Sequence, residues 1–355
     1  MKTDKLQTTL ANWQLIQPLS EKDKMRLSRR FTIDFNYNSN HIEGNTLTYG
    51  QTELLLLFGK VTGQADFFDY EEMKASNVGL KMILTESAEK QQPLTQNFIR
   101  TLHKTLLRED YTVYKNLAGG MHTSYIIHAG QYKTRPNSVI TRYGDRFEYA
   151  SPEETPALMT DLVDWYNQEE QKGEMSFIDL AILFHYRYIR IHPFEDCNGR
   201  IARLMVNYIL SRHNYPMIVV RSRKKYEYLE ALHKADLIVG SAPTDGAHAS
   251  LAQIRPFHKY MKELIAKEIE ADTQFITQKS ENIWWFDGEK IEFRTPTYGI
   301  ILRELQTEPV NTYATLQKAT GVNRSALQKM IKSLSEKGFI EKLEDGWRVF
   351  ITPSI

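Results

Sequence analysis

Twelve residues, His192 to Arg203, concentrate the reactive groups of this chain in the run HPFEDCNGRIAR. A histidine is followed four residues later by an acid, then by a small polar turn at Asn198-Gly199, then by two arginines three apart. Such a turn lets successive backbone N–H groups converge, and the helix N-terminus after it adds the positive end of its dipole, which makes an anion site. Arg200 and Arg203 fall on one helical face, so both guanidinium forks can serve the same phosphates. Asp196 suits a hard cation such as Mg²⁺, which takes one or two carboxylates plus phosphate oxygens. His192 stands where a general base would work on the same centre. Together these describe nucleotide chemistry without a P-loop, since no G-x-x-x-x-G-K-[ST] occurs.

Two apolar segments must hold that loop. FIDLAILFHYRYIRI places Phe177, Leu180, Ala181, Phe184 and Tyr188 at helical spacing, and RIARLMVNYILSR does the same with Ile201, Leu204, Met205, Tyr208 and Ile209. Pro193 biases His192 out of the α region, so the first helix should stop there, and Asn214 and Pro216 should close the second. Phe194 reads as a core anchor of the loop. A third reading makes His185, His192 and Asp196 the transition-metal ligands of a hydrolase. His185 lies nearly two turns before His192, roughly 10 Å by helix rise, too far for one metal.

The run closely matches the Fic motif, H-P-F-x-D/E-G-N-G-R-x-x-R. A second segment, SNHIEGN from Ser39 to Asn45, resembles the Fic autoinhibitory motif S/T-x-x-x-E-G/N. Ser39 and Glu43 are i,i+4 on a short helix that Gly44 would end. Because this motif precedes the core, the chain resembles class II Fic proteins, over roughly residues 31–257. The resemblance implies an autoinhibited protein adenylyltransferase. His192 deprotonates a Ser, Thr or Tyr hydroxyl of a target protein, which attacks the α-phosphate of ATP and releases pyrophosphate. Asp196 holds Mg²⁺ on the phosphates. The backbone of Asn198 and Gly199, with Arg200, neutralises developing charge, and Arg203 reaches the γ-phosphate. At rest Glu43 pairs with Arg203 and denies that phosphate its productive place.

Further positions follow the resemblance. A hairpin within residues 129–149, with strands Ser138 to Thr141 and Arg146 to Tyr149 around Tyr143-Gly144-Asp145, sits where the Fic flap lies. Val139 and Ile140 then border the nucleotide, and the flap edge docks a target segment as an added strand. KKYEYLEALHKAD resembles the adenosine-contacting helix, with Tyr228 and Asp236 on one face, although the family often has Asn in place of Asp236. Cys197 is the one departure from the core motif, standing where the family has glycine. A Cβ there strains the backbone by roughly 1–3 kcal/mol if the conformation is left-handed, so lowered or conditional activity is expected. The same site also suits removal of AMP, with Glu43 positioning water. Relatives that transfer UMP, phosphate or phosphocholine leave the transferred group open.

Composition frames these motifs. The chain has 355 residues, 45 Lys+Arg against 44 Asp+Glu, and a net charge of +1, which excludes a protein that coats nucleic acid by bulk charge. One cysteine, Cys197, excludes an internal disulfide framework and a cysteine-based zinc cluster. No secretory signal or membrane-spanning run is apparent, and a soluble, cytoplasmic protein is expected. The fold class is mainly α: residues 1–95 form a helical region with the inhibitory motif, 96–265 a multihelical Fic core with its flap, and 266–355 a linker hairpin and winged helix-turn-helix domain. The segment IWWFDGEKIEFR turns at Asp287-Gly288, and residues 240–250 read as a loop. From Thr297 onward, 8 Lys+Arg against 6 Asp+Glu leave +2. Arg324, Lys329 and Lys332 are placed to meet DNA phosphates, while winged helices also serve as dimerisation or scaffold modules. A nucleotide-sensing DNA-binding regulator with weak catalysis is therefore an alternative reading. The family also implies a homodimer.

Overall fold

The computed structural model describes residues 5–61, 65–116, 122–140, 146–307, 312–344 and 346–349. The first helix, α1 (Lys5–Leu15), is followed by α2 (Glu21–Glu43). Ser20 caps α2 by accepting from the Asp23 N–H, and Gly44 ends it in the left-handed region at φ 107°. The inhibitory motif therefore ends a helix of 23 residues, not a short one. The helix runs long because its apolar stripe, including Phe31, Phe35 and Ile42, continues without a breaker until Gly44. A capping box at Thr48 and Gln51 starts α3 (Tyr49–Phe58), and α4 (Phe67–Ala88) and α5 (Gln96–Leu107) follow.

Two hairpins come next. The first, β1 (Tyr111–Asn116) with β2 (His122–Ile127), pairs Tyr111 with Ile127. It interrupts a region read from sequence as helical. The second, β3 (Ser138–Ile140) with β4 (Arg146–Glu148), pairs Val139 with Phe147. It is the hairpin expected there from sequence, though residues 141–145, its expected turn, lie outside the described residues.

Helices α6 (Thr155–Lys172), α7 (Phe177–Ile191) and α8 (Asn198–Arg212) complete the catalytic frame. Leu180, Ala181, Phe184 and Tyr188 on α7, with Ile201, Met205, Tyr208 and Ile209 on α8, are all fully buried. Each such aliphatic or aromatic side chain contributes about 1.5–3 kcal/mol, so the two helices form a rigid centre. Beyond them lie α9 (Lys225–Val239), a short α10 (Pro243–Ala247) inside the expected loop, and α11 (Arg255–Thr277). The boundary expected at 265/266 falls inside α11, whose apolar face stays in the main core through Ile269. That core also takes in Leu6 and Trp13 of α1, so the N-terminal helices share it.

The C-terminal unit has its own core around Trp284, Leu302, Leu316, Leu327 and Leu334. It opens with β5 (Ile283–Phe286) and β6 (Glu289–Glu292), joined by Asp287 at φ 44° and Gly288 at φ 78°. Two positive φ values make the tight two-residue turn that an Asp-Gly pair favours. Then come α12 (Pro296–Thr307), α13 (Tyr313–Thr320), α14 (Arg324–Glu336), and the wing β7 (Ile340–Leu343) with β8 (Gly346–Val349). This is the winged helix-turn-helix order; of the wing turn, Asp345 lies outside the described residues. Among the described residues no helix is long and apolar enough to cross a membrane.

Candidate active site

The site is the loop between α7 and α8. His192 ends α7 in the left-handed region at φ 51°, which turns its ring out of the helix line. The ring stacks on Tyr149 with centroids 3.9 Å apart and faces the Ile189 carbonyl through Nδ1 at 3.3 Å. Burial, helped by the Lys133 charge, pushes its pKa down to about 3. The imidazole is therefore neutral near pH 7, as a general base must be.

Three neighbours fasten the loop. Lys133 donates through Nζ to the carbonyls of Ile191 and His192 and to Asn137 Oδ1, at 3.1, 2.9 and 2.9 Å. Burial lowers its pKa to about 7. Asn137 donates to the Phe194 carbonyl, tying the segment before β3 to the loop. Phe194 is fully buried and stacked on His103 at 3.9 Å, in the anchoring role read from sequence. The Asn198 side chain closes the loop internally, accepting from the Phe194 N–H and donating to the Phe194 carbonyl.

At the start of α8, Cys197 is the residue before the first helical turn and makes no side-chain cap. Its own backbone is left-handed, at φ 63° and ψ 2°, the region that favours glycine. The thiol is buried and accepts from Arg200 at 2.9 Å. Burial pushes its pKa up to about 12 despite Arg200, which removes the low-pKa thiolate that a redox switch needs.

Both motif arginines are buried and already matched to carboxylates. Arg203 donates through Nε to Ser39 Oγ at 3.0 Å, and through one terminal nitrogen to the Ser39 carbonyl at 2.9 Å and Glu43 Oε1 at 2.6 Å. Burial opposes the Glu43 charge, but Arg203 outweighs it and holds the carboxyl below its usual range. A Cβ on Gly199 would stand 2.6 Å from Glu43 Oε1, so the glycine is what lets that carboxylate reach the helix N-terminus. Arg200 pairs with Glu72 of α4. Its Nε is buried without a hydrogen-bond partner among the described residues. Asn45 of the inhibitory motif touches neither arginine in these contacts; it donates to Glu72 at 2.9 Å and to the Asp69 carbonyl at 3.0 Å.

Asp196 is 42 % exposed and accepts from the Tyr111 hydroxyl at 2.9 Å and from the Cys197 N–H at 2.6 Å. One exposed carboxylate beside a helix N-terminus fits Mg²⁺, which takes one or two carboxylates and fills its remaining positions with phosphate oxygens and water. No cluster of three or more potential metal-ligating side chains occurs among the described residues.

The remaining assignments separate. Tyr228 is buried, with its hydroxyl 2.8 Å from His185 Nε2 and its ring against Phe257. Asp236 accepts from Tyr186 at 2.7 Å and pairs with Arg190 at 3.3 Å. Both are thus committed to partners within the protein. Of Val139 and Ile140 the structure describes only the backbone, in the flap strand. Sequence reasoning missed Glu72, Tyr111 and Lys133, which reach the motif from 128, 85 and 59 residues away.

The architecture is a buried helix pair whose connecting loop presents a neutral histidine beside a helix end that faces the Glu43 carboxylate, with a winged helix appended. The Fic/DOC family pattern matches residues 93–210, and a winged helix-turn-helix DNA-binding pattern matches residues 300–341. The crystal structure of a Fic domain containing signaling protein from Bacteroides thetaiotaomicron is 50 % identical, covers 78 % of this chain and 98 % of its own, and superposes with a TM-score of 0.72. The chain belongs to the Fic/DOC family. Protein adenylyltransferase fic-1 of Caenorhabditis elegans is 28 % identical over 250 residues, which is 70 % of this chain and 42 % of that protein. The chain thus spans about two fifths of the length of such curated relatives. A Fic family protein from Desulfovibrio desulfuricans shares the fold across the whole chain, with a TM-score of 0.57 and 18 % identity, covering 98 % of its own length.

Proposed function

We propose that this chain is an autoinhibited protein adenylyltransferase that transfers AMP from ATP to a hydroxyl of a target protein. The observation that carries the reading is the Glu43 carboxylate, seated against Gly199 and Arg203 where a phosphate group would bind. With Nδ1–H turned to the Ile189 carbonyl, Nε2 of His192 is the free base. It takes the proton of a Ser, Thr or Tyr hydroxyl as that oxygen bonds to the α-phosphorus. The bond from the α-phosphorus to the bridging oxygen breaks, and pyrophosphate leaves with the electron pair. The N–H groups at the start of α8 and Arg200 stabilise the developing phosphoryl charge. Asp196 would hold Mg²⁺, which when bound supplies charge neutralisation on the phosphates. Arg203 takes the γ-phosphate once Glu43 withdraws, and the β3 edge of the flap receives the target segment as an added strand.

The test is transfer of label from α-labelled ATP to protein, resolved by mass spectrometry as an AMP adduct. Glu43→Gly should raise labelling and His192→Ala should abolish it. Equal labelling in the two variants sinks the assignment. The placement of Glu43 beside the helix end also supports the reverse reaction, which predicts Glu43-dependent release of AMP from labelled protein. Exposed Arg324, Lys329 and Lys332 on α14 support duplex DNA as a further partner, checked by salt-sensitive gel shift.

A further inference from the structure

The stripe of α2 adjoining the inhibitory face carries Arg30, Asp34 and Asn38, spaced four apart. All three point into a buried ionic cluster that the C-terminal unit helps to build. Asp34 pairs with Arg221 at 2.8 Å and with Arg30 at 3.5 Å, and accepts from the Tyr49 hydroxyl at 2.5 Å. Arg221 also pairs with Glu268 of α11 at 2.5 Å and with Asp287, in the β5–β6 turn, at 3.1 Å. Asn38 donates to Asp287 at 2.6 Å and accepts from the Ser222 N–H at 2.7 Å. Arg223 clasps the same turn, bonding Asp287 at 2.9 Å and Glu289 at 2.5 Å. The turn rests on Arg221 so closely that a Cβ on Gly288 would stand 2.5 Å from its guanidinium.

A second contact lies beside the first. Gln306, near the end of α12, donates to Glu53 of α3 at 2.6 Å and accepts from Trp284 at 3.2 Å. Phe286 of β5 packs on Tyr49, with ring centroids 4.5 Å apart. Gly50 is where α3 meets α12, since a Cβ there would overlap the Gln306 carbonyl oxygen. Asn38 is the immediate neighbour of Ser39, so the cluster that grips Asn38 lies one residue from the pair that holds Arg203.

We propose that the C-terminal hairpin and winged-helix unit brace α2, and that their docking on α2 and α3 sets how firmly Glu43 occupies the phosphate site. Asp287 is then a positioning residue for Glu43, acting through Asn38. The brace deepens the adenylyltransferase reading and rests on it: the winged-helix unit becomes the regulatory arm of the active site. Displacing the unit frees the last turn of α2 and releases Arg203.

Gly50→Ala tests this far from the chemistry. Alanine favours the helix locally, yet its methyl must push α12 off α3. In the 355-residue chain the variant should label with AMP about fivefold more than wild type, within the usual range of coupling between sites. It should add nothing to Glu43→Gly, in which the inhibitory carboxylate is already gone. Amide exchange at Ser39 to Glu43 should also quicken, which reports the brace independently of catalysis. A folded Gly50→Ala with wild-type exchange in that turn overturns the proposal, as does unchanged labelling beside a raised Glu43→Gly. If Gly50→Ala fails to fold, Gln306→Ala, which only removes the bridge to Glu53 and Trp284, must give the same two changes or the proposal falls. If Glu43→Gly itself does not label, the enzymatic reading fails while the exchange result still decides the brace.

Discussion

Replacing Cys197 with glycine probes the one position where this chain departs from its family's motif. The residue sits at φ 63° and ψ 2°, and a side chain in that region costs about 1–2 kcal/mol. Glycine removes that cost. It also returns about 0.4–1 kcal/mol to the unfolded chain as backbone freedom. Loss of a buried thiol forfeits about 1 kcal/mol of apolar transfer. The three terms nearly cancel, so net stability should move by less than about 1 kcal/mol, a shift of a few degrees in Tm at most. The functional consequence is larger. Cys197 Sγ accepts an Arg200 N–H at 2.9 Å, and without it that donor is free for a phosphate oxygen. A hydrogen bond from a charged donor contributes about 1.5 kcal/mol, close to a tenfold rate change if it is made only in the transition state.

The variant belongs in the Glu43→Gly background, which removes the carboxylate paired with Arg203. Single-turnover labelling with α-labelled ATP gives the rate, and calorimetric titration gives ATP affinity. We expect affinity to stay within about twofold and the rate to rise between about three- and tenfold, less than 1.4 kcal/mol in either case. A lower rate at unchanged Tm would refute the reasoning, because the thiol would then be assisting Arg200 rather than occupying it.

Three further outcomes follow from the site and the buried cluster. Gly199→Ala puts a methyl 2.6 Å from Glu43 Oε1; thermal melts should show a loss of about 1–3 kcal/mol as the Glu43–Arg203 pair is forced apart, and a Tm equal to wild type would contradict the fit. Asp272 of α11 joins the cluster through Arg30 at 3.5 Å. Burial raises its pKa from 3.8 to about 7, so the folded state holds a proton that the unfolded chain has lost; stability should fall as pH rises from about 4 to about 7, and Asp272→Asn should flatten that slope in denaturant titrations and stabilise the protein by about 1–4 kcal/mol at pH 8. Tyr111→Phe releases the Asp196 oxygen that accepts at 2.9 Å, and half-maximal labelling in the Glu43→Gly background should then need about fivefold less Mg²⁺, the equivalent of one hydrogen bond of about 1 kcal/mol.

The catalytic loop was legible because its parts are neighbours in the chain. The apolar periods of α7 and α8, the Pro193 stop and the polar turn all lie within 36 residues, from Phe177 to Arg212. The Glu43–Arg203 pair was legible as well, since Ser39, Glu43 and Gly44 mark a helix end at fixed spacing. Glu72 and Lys133 carry no such mark. An acid in the second turn of α4 and a lysine before β3 look like ordinary surface charges until the fold brings them to Arg200 and the His192 carbonyl. The β1–β2 hairpin escaped for a related reason. Its strands YTVYKN and HTSYII mix polar and aromatic residues without clean alternation, and the hint of a turn was the Gly119-Gly120 pair between them.

The two buried arginines share a chemistry but not a fate. Glu43 is the last residue of α2 before Gly44, and its side chain is 37 % exposed, so one turn of helix has to loosen for it to leave. Glu72 lies within α4 and is tied to Asn45 as well as to Arg200. On the proposed adenylyltransferase reading a γ-phosphate competes with a carboxylate at a helix end, whereas Arg200 stays paired with Glu72. On that reading, inhibition resides in the terminal turn of α2 while the rest of the anion site stays preformed. Under the proposed brace, moving Glu43 alone would switch such a site on, and the residues that grip the stripe beside it, Asn38 foremost, would set how readily that happens.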